Sequence, residues 1–267
     1  FVTFAAVIML PTVILNSAYW GQCDSIYTTF IILTLLYLYR EKYHRAFMFL
    51  GIAFAFKMQT IFIFPFIICF YIYKKQFSIF ELLITVFTFW ISGIGAFVQG
   101  RSLLDPFRIY ANQTGTYQYM HVNFPSFWMF VGNDYEWLKM AAGICGMGLY
   151  IIMKRKLDCS RPENFVNIAS WFIWTCVLFL PAMHERYAYP LEILLVILTC
   201  INKDYLKYSS VAILFSLFTY GNYLFSNGGL DKYIVIIYAG CYLHFTYTIL
   251  KKNSKTATVT DKEMQNE

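Results

Sequence analysis

Residues 181–190, Pro-Ala-Met-His-Glu-Arg-Tyr-Ala-Tyr-Pro, set an imidazole, a carboxylate and a guanidinium side by side between two apolar runs, 165–180 and 191–201. Ionisable groups at such a junction are costly unless they face one another or a polar cavity, so they mark a functional path. Arg186 offers a planar fork of donors matched to phosphate oxygens. His184 can donate to the same anion or pass a proton near neutral pH. Glu185 can orient either cation, bind an acceptor hydroxyl or accept a proton, and Tyr187 stands next to them. The competing reading is a mutual ion network that only ties two helices together.

Three further segments carry polar groups among apolar neighbours. In residues 16–24, Asn-Ser-Ala-Tyr-Trp-Gly-Gln-Cys-Asp, Trp20 and Tyr19 present flat faces suited to a sugar ring, while Gln22 and Asp24 can bond its hydroxyls. The alternative is an aromatic belt with Asp24 as the N-cap of the helix that starts at Ser25. Lys57 and Gln59 lie in the middle of the apolar stretch 46–73; a fixed cation there can hold a lipid-linked phosphate, or else snorkel to the headgroups. The loop 99–137 holds Arg101, Asp105, Arg108, His121, Asn123, Asp134 and Glu136 among many aromatics, and can cover a pocket or simply rest on headgroups. Within it, Asn112-Gln113-Thr114 matches a glycosylation triplet, and residues 123–128 read as the start of an interfacial helix.

The elements that must position these groups are membrane helices. Hydrophobic residues make up 59% of the chain, aromatics 21% and charged residues only 13%, with a mean hydropathy of +0.53. A soluble domain would have to expose large apolar patches to carry that load. The expected fold is therefore an all-α integral membrane protein, a polytopic helical bundle of about 8–10 transmembrane helices. Spans are expected near 1–16, 25–39, 78–98, 138–153, 165–180, 188–202, 206–225 and 233–250, with 46–73 as a pair of short helices meeting at Lys57 to Gln59. Residues 1–250 form the membrane domain and 251–267 a polar, disordered cytoplasmic tail.

With these spans, Arg40, Lys42, Arg45, Lys74, Lys75, Lys154, Arg155, Lys156, Arg161, Lys203, Lys207, Lys251, Lys252, Lys255 and Lys262 share one side. The other side keeps only Lys57, Arg101, Arg108, Lys139, Arg186 and Lys232. The positive-inside rule makes the first side cytoplasmic. The net charge of +6 then reflects orientation and calls for no nucleic-acid partner. The four polar segments converge on the extracytoplasmic face and suggest one outward pocket. The cysteines, such as Cys69, Cys145, Cys176 and Cys200, form no C-x-x-C pair and read as packing residues. His44, His121, His184 and His244 lack metal spacing, so no metal site is expected and a divalent ion is not indicated.

Residues 16–27, Asn-Ser-Ala-Tyr-Trp-Gly-Gln-Cys-Asp-Ser-Ile-Tyr, then 56–59, Phe-Lys-Met-Gln, with Pro65 following, then 181–187, Pro-Ala-Met-His-Glu-Arg-Tyr, occur in an order that resembles GT-C glycosyltransferases. The likeness is to bacterial membrane proteins related to GPI mannosyltransferases and to dolichyl-phosphate-glucose glucosyltransferases of the endoplasmic reticulum. It covers most of the chain, and the His-Glu-Arg-Tyr block is its most specific part. The resemblance implies transfer of a hexose, mannose or glucose-like, from a polyprenyl-phosphate donor to a hydroxyl of a glycan or glycolipid acceptor outside the cytosol, in cell-envelope glycan or glycoconjugate synthesis. It also implies that the catalytic carboxylate lies in an external loop upstream of Phe1, so that this chain reads as the C-terminal part of a longer protein and Asp24 is not given the role of base by default.

The chemistry suits the residues in its own right. Displacement at an anomeric carbon needs a base for the acceptor proton and cations for the departing phosphate. His184, Arg186 and Lys57 are the expected phosphate ligands. Trp20, Gln22, Asp24, Gln59, Glu185 and Tyr187 are expected to shape the sugar and acceptor site. Direct displacement predicts inversion. The partners are then a lipid-linked sugar, the acceptor and membrane lipid; no cofactor is assigned and the need for a divalent metal is left open. A bacterial plasma membrane is the expected location and the endoplasmic reticulum the alternative. The rival readings are a polysaccharide polymerase or ligase, a secondary transporter, and a structural membrane subunit.

Overall fold

Pro11, Pro65, Pro162 and Pro190 each fall in the first turn of a helix, where the missing N–H would have had no partner anyway. They open four of the elements that build the site. The computed structural model describes residues 2–113, 116, 118–132, 143, 146, 159–226 and 232–264. Of the expected span 138–153, only residues 143 and 146 are described; Thr114, Tyr117, Asp134, Glu136, Lys139, Cys145, Lys154, Arg155 and Lys156 lie outside the described residues, as do the side chains of Lys252, Lys255 and Lys262.

Among the described residues all regular structure is helical, apart from an isolated bridge between His121 and Met183. Helix α1 (Val2–Ile8) meets α2 (Pro11–Val13), which continues as a π-helical turn, Ile14–Tyr19. Helices α3 (Asp24–Tyr39) and α4 (Tyr43–Phe56) follow. At Lys57 the backbone becomes extended, with φ −157° and ψ 132°, before a 3-10 turn, Met58–Ile63, leads into α5 (Phe64–Lys74). The break expected at Lys57 is therefore present. Then come α6 (Leu82–Ile91), α7 (Ile94–Val98), α8 (Asp105–Gln113), α9 (Pro162–Phe179), α10 (Tyr189–Ile201), α11 (Leu206–Phe225) and α12 (Lys232–Met264).

The core lies where α9 and α10 are buried almost all round, with Trp171, Trp174, Leu191 and Leu195 among its buried residues. A helix without a polar face has to be surrounded by others. Close approach also matters between α4 and α6. A Cβ on Gly51 would come within 2.6 Å of the Thr85 carbonyl oxygen and of Thr88 Cβ, so only glycine fits at that contact. The hydroxyl of Thr85 then donates to the Phe47 carbonyl at 3.0 Å.

Among the described residues, α3, α4, α5, α9, α10 and α11 have their ends at two poles. At one, Tyr39 donates to the Ser160 carbonyl, Tyr43 to Gln76 Oε1, and Asn202 to Glu163 Oε1, while His44 meets Glu81. Arg40, Lys42, Arg45, Lys74, Lys75, Arg161, Lys203 and Lys207 all lie on or beside those segments. At the other pole Asp24 meets Lys57, and Trp20 meets Tyr223 and Arg186. These described basic residues thus lie near one pole.

The lengths differ from those expected. By length and composition one described helix, Lys232–Lys251, can cross a membrane, and Val2–Ile8 with Pro11–Tyr19 forms a second candidate bent by 50°. Asp24–Tyr39, Tyr43–Phe56 and Tyr189–Ile201 are apolar but shorter. The expected 1–16 and 78–98 spans are each broken, the first before Pro11 and the second at the 92–93 turn. α9 and α11 are long enough, but Asn167 and Glu163 in one, and Lys207, Ser209, Ser216 and Asn222 in the other, dilute their hydropathy. The segment from Lys251, expected to be disordered, continues as helix to Met264; it holds neither glycine nor proline to stop it. Cys69 and Cys176 are buried as packing residues, whereas Cys200 is exposed.

Candidate functional site

The pole opposite the basic one gathers the sequence-predicted groups from three separate segments. Trp20 follows the π-helical turn, Asp24 begins α3, Lys57 is the break after α4, and 180–188 is the tight connection from α9 to α10. That connection holds a left-handed residue, Ala182, at φ 59°. Its shape is fixed by the strip 118–132: the Ala182 N–H donates to the Met120 carbonyl at 3.1 Å, and Trp128 Nε1 donates to the Phe179 carbonyl at 2.8 Å.

Two ion pairs form the centre. Lys57 Nζ bonds Asp24 Oδ1, and Asp24 Oδ2 accepts from Asn16 Nδ2 at 2.8 Å. Arg186 donates to Glu185 Oε1 at 2.6 Å. Both carboxylates are fully buried, while Lys57 and Arg186 remain part-exposed. Each cation thus has its own counter-ion, and Glu185 orients Arg186, one of the roles its position in the sequence allows. Donors remain for a further anion: an ammonium has three and a guanidinium five. Arg186 Nε and Glu185 Oε2 are buried and have no hydrogen-bond partner among the described residues.

Aromatic rings tie the pairs together. The Arg186 guanidinium lies over Trp20 at 5.1 Å, and Lys57 Nζ lies 5.5 Å from the Tyr27 ring and 5.9 Å from Tyr187. His184 and Tyr187 have ring centroids 5.1 Å apart. Trp20 also contacts Tyr223 at 5.0 Å and Tyr220 edge-on at 5.8 Å, so part of the surface expected to stack on a sugar is already engaged.

His184 lies outside the helices, in the connection. Burial pushes its imidazole below the ordinary value; Glu185 opposes that, and the Arg186 and Lys57 cations reinforce it. The ring is therefore neutral at pH 7. Its Nδ1 is 3.9 Å from Glu185 Oε2, beyond hydrogen-bond range.

The expected set is thus only partly assembled. His184, Glu185, Arg186, Tyr187, Lys57, Asp24 and Trp20 meet. Gln22 and Gln59 are half-buried and make no side-chain hydrogen bond among the described residues; only the Gln22 backbone joins, donating to the Asn16 carbonyl. The N-cap reading of Asp24 is overturned, since α3 begins at Asp24 itself and its carboxylate serves Lys57 and Asn16. In the long loop, Asp105 and Arg108 pair with each other at 3.8 Å near the surface, and Arg101 is exposed. The expected helix start at 123–128 becomes a 3-10 turn, Phe127–Phe130, with Phe124 buried beneath.

Sequence reasoning missed Glu192 and its surroundings. Glu192 is fully buried in the first turn of α10, where the Ser216 hydroxyl donates to its Oε1. Thr219 donates to the Glu185 carbonyl at 3.3 Å. The signal was present: a carboxylate inside the apolar run 191–201 is as costly as those at 184–186.

No group of three or more His, Cys, Asp or Glu side chains that could hold a metal ion occurs among the described residues. Beside the Lys57 break lies a cavity of about 530 Å³, almost wholly apolar, lined among others by Met58, Ile61, Phe64, Phe89 and Tyr110. Compared with family models, with curated proteins and with solved structures, the chain finds no match.

Proposed function

We propose that this chain is a multi-pass membrane glycosyltransferase domain of GT-C type, moving a hexose from a polyprenyl-phosphate donor to an acceptor hydroxyl on the extracytoplasmic face. The observation that carries the reading is the meeting of Trp20, Arg186 and Glu185 with Lys57 and Asp24 at the pole away from the basic loops. In this reading Arg186 and Lys57 hold the departing phosphate, since each keeps donors beyond those used on its carboxylate. Neutral His184 adds a hydrogen bond without adding charge. Glu185 Oε2, buried and without a hydrogen bond, is the acceptor that a sugar or acceptor hydroxyl would fill. The apolar cavity at Met58 suits the first isoprenoid units of the carrier.

Two further features support a membrane setting. Leu83, Val86 and Phe87 share one exposed face of α6, and Ile236, Ile237, Leu243 and Tyr247 are exposed on α12. Apolar faces of that size require a partner or lipid. The helices alternate between a basic and a mixed-charge pole, as the positive-inside rule requires of a chain that crosses repeatedly. Short helices reach across by tilting little and by letting the bilayer thin locally.

The test is transfer from a defined polyprenyl-phosphate hexose by the full-length protein in liposomes. Wild-type transfer with inverted configuration, lowered by on the order of 10²- to 10³-fold in Arg186→Ala protein that is still membrane-inserted, is the expected result. Full activity of Arg186→Ala removes the proposed phosphate role, and retention of configuration removes direct displacement.

A further inference from the structure

A carboxylate buried without a cation carries an unmet electrostatic demand. Glu192 is fully buried, makes no ion pair among the described residues, and bonds Ser216 through Oε1 only; Oε2 has no hydrogen-bond partner among the described residues. Its neighbours offer oxygens and no positive charge. The Thr12 hydroxyl faces it, and the Tyr220 phenol lies close to both Glu192 and Asn16. Asp24 is near enough to add repulsion. An isolated negative charge in such a place costs several kcal/mol unless neutralised.

Asn16 decides between the ways of neutralising it. Its Nδ2 is committed to Asp24, a carboxylate that can only accept, so the amide orientation is fixed and Oδ1 faces away as an acceptor. That buried Oδ1 also lacks a hydrogen bond among the described residues. A proton on Glu192 satisfies one oxygen at most, and Asn16 Oδ1 then depends on the Tyr220 phenol turning toward it. A small cation gathers several oxygens at once. The backbone is shaped accordingly: the 2–19 segment is bent by 50° before Pro11, and Asn16 sits in a π-helical turn. Broken helices that present oxygens beside a buried carboxylate are where monovalent ions bind within membranes, and widened turns recur at functional sites.

We propose that Glu192, Asn16 and Thr12, with Ser216 and Tyr220 beside them, form a binding site for one monovalent cation of the sodium class. A single carboxylate balances a single positive charge; calcium and magnesium call for larger oxygen sets or more carboxylates. Because Asn16 serves both this site and Asp24, the bound ion orients the carboxylate that holds Lys57. The inference stands independently of the transferase reading.

The experiment uses the purified protein in detergent at pH 8, in sodium chloride or in choline chloride of equal ionic strength. Sodium is expected to raise the thermal unfolding midpoint and radioactive sodium to bind at one ion per chain, with both effects lost in Glu192→Gln. Thr12→Val, which keeps the charge and the fold, should weaken sodium binding by about tenfold, the effect of losing one oxygen ligand. Absence of bound sodium in the wild-type protein overturns the proposal. So does an infrared band of a protonated carboxyl in sodium-saturated protein that Glu192→Gln removes, because Glu192 would then carry a proton. Loss of sodium binding with hexose transfer intact leaves the transferase reading standing, and the reverse result separates the two equally well.

Discussion

The guanidinium carbon of Arg186 lies 5.1 Å from the centre of the Trp20 ring, though the two residues are far apart in the sequence. The ring shields the cation from water on one side while Glu185 holds it from another at 2.6 Å. The fork is thereby set before any anion arrives. Arg186→Ala should lower transfer by on the order of 10²- to 10³-fold, the usual loss of a charge-stabilising donor. Arg186→Lys should rescue little, since an ammonium lacks the fork. Trp20→Phe, which keeps a ring, should cost no more than about fivefold. Initial rates with a lipid-linked hexose check all three, and full rescue by lysine would contradict the bidentate role.

The Asp24–Lys57 pair makes a separate prediction. Asp24→Ala leaves a part-buried ammonium without its counter-ion and should destabilise the fold by about 3–5 kcal/mol. Replacing both, Asp24→Ala with Lys57→Met, should recover much of that loss while abolishing transfer. Denaturation midpoints of the single and double variants decide the matter. Additive losses in the double variant would show that the two do not act as a pair.

His184 gives a pH dependence of definite sign. Burial holds its folded-state value below the ordinary 6.5, so above pH 6.5 neither folded nor unfolded chain binds a proton there. As pH falls from 6.5 toward the folded value, the unfolded chain takes up a proton and the folded one does not. Stability must decline across that window. The thermal midpoint of the wild-type protein should therefore drop more steeply below pH 6.5 than that of His184→Gln, carboxylates being common to both. Parallel curves would mean that folding leaves the proton affinity of the ring unchanged.

Gly51 tests packing away from the site. With the Thr85 carbonyl and Thr88 Cβ at 2.6 Å from any added Cβ, Gly51→Ala should push α4 and α6 apart and destabilise by about 1–3 kcal/mol. Gly95→Ala, whose Cβ would meet nothing within 4 Å, serves as the control. Equal stability of the two variants would deny the close contact.

How much of this was legible in the sequence depends on the kind of signal. The break at Lys57 could be read because a charged residue amid apolar ones has to reach something polar, and Asp24 is what it reaches. The His184 to Tyr187 block was legible for the same reason. Helix lengths were not: Met9 and Leu10 keep the run apolar up to Pro11, and Ser92-Gly93 is too short an interruption to end an apolar stretch in the sequence. Pairing was not legible either. Nothing local tells that Asp24 serves Lys57 instead of capping α3, because the choice is made by a side chain from another helix. Glu192 stood in plain view inside an apolar run, and its partner Ser216 lies on a later helix.

The account rests most directly on the two poles facing opposite sides of a bilayer. In a cysteine-free background, single cysteines at Trp20, Arg186 and Lys203 can be labelled from either face of sealed vesicles with an impermeant reagent. The account predicts that positions 20 and 186 react from the extracytoplasmic side and position 203 from the cytoplasmic side. Labelling of 20 and 186 from opposite sides, or of all three from one side, would contradict it.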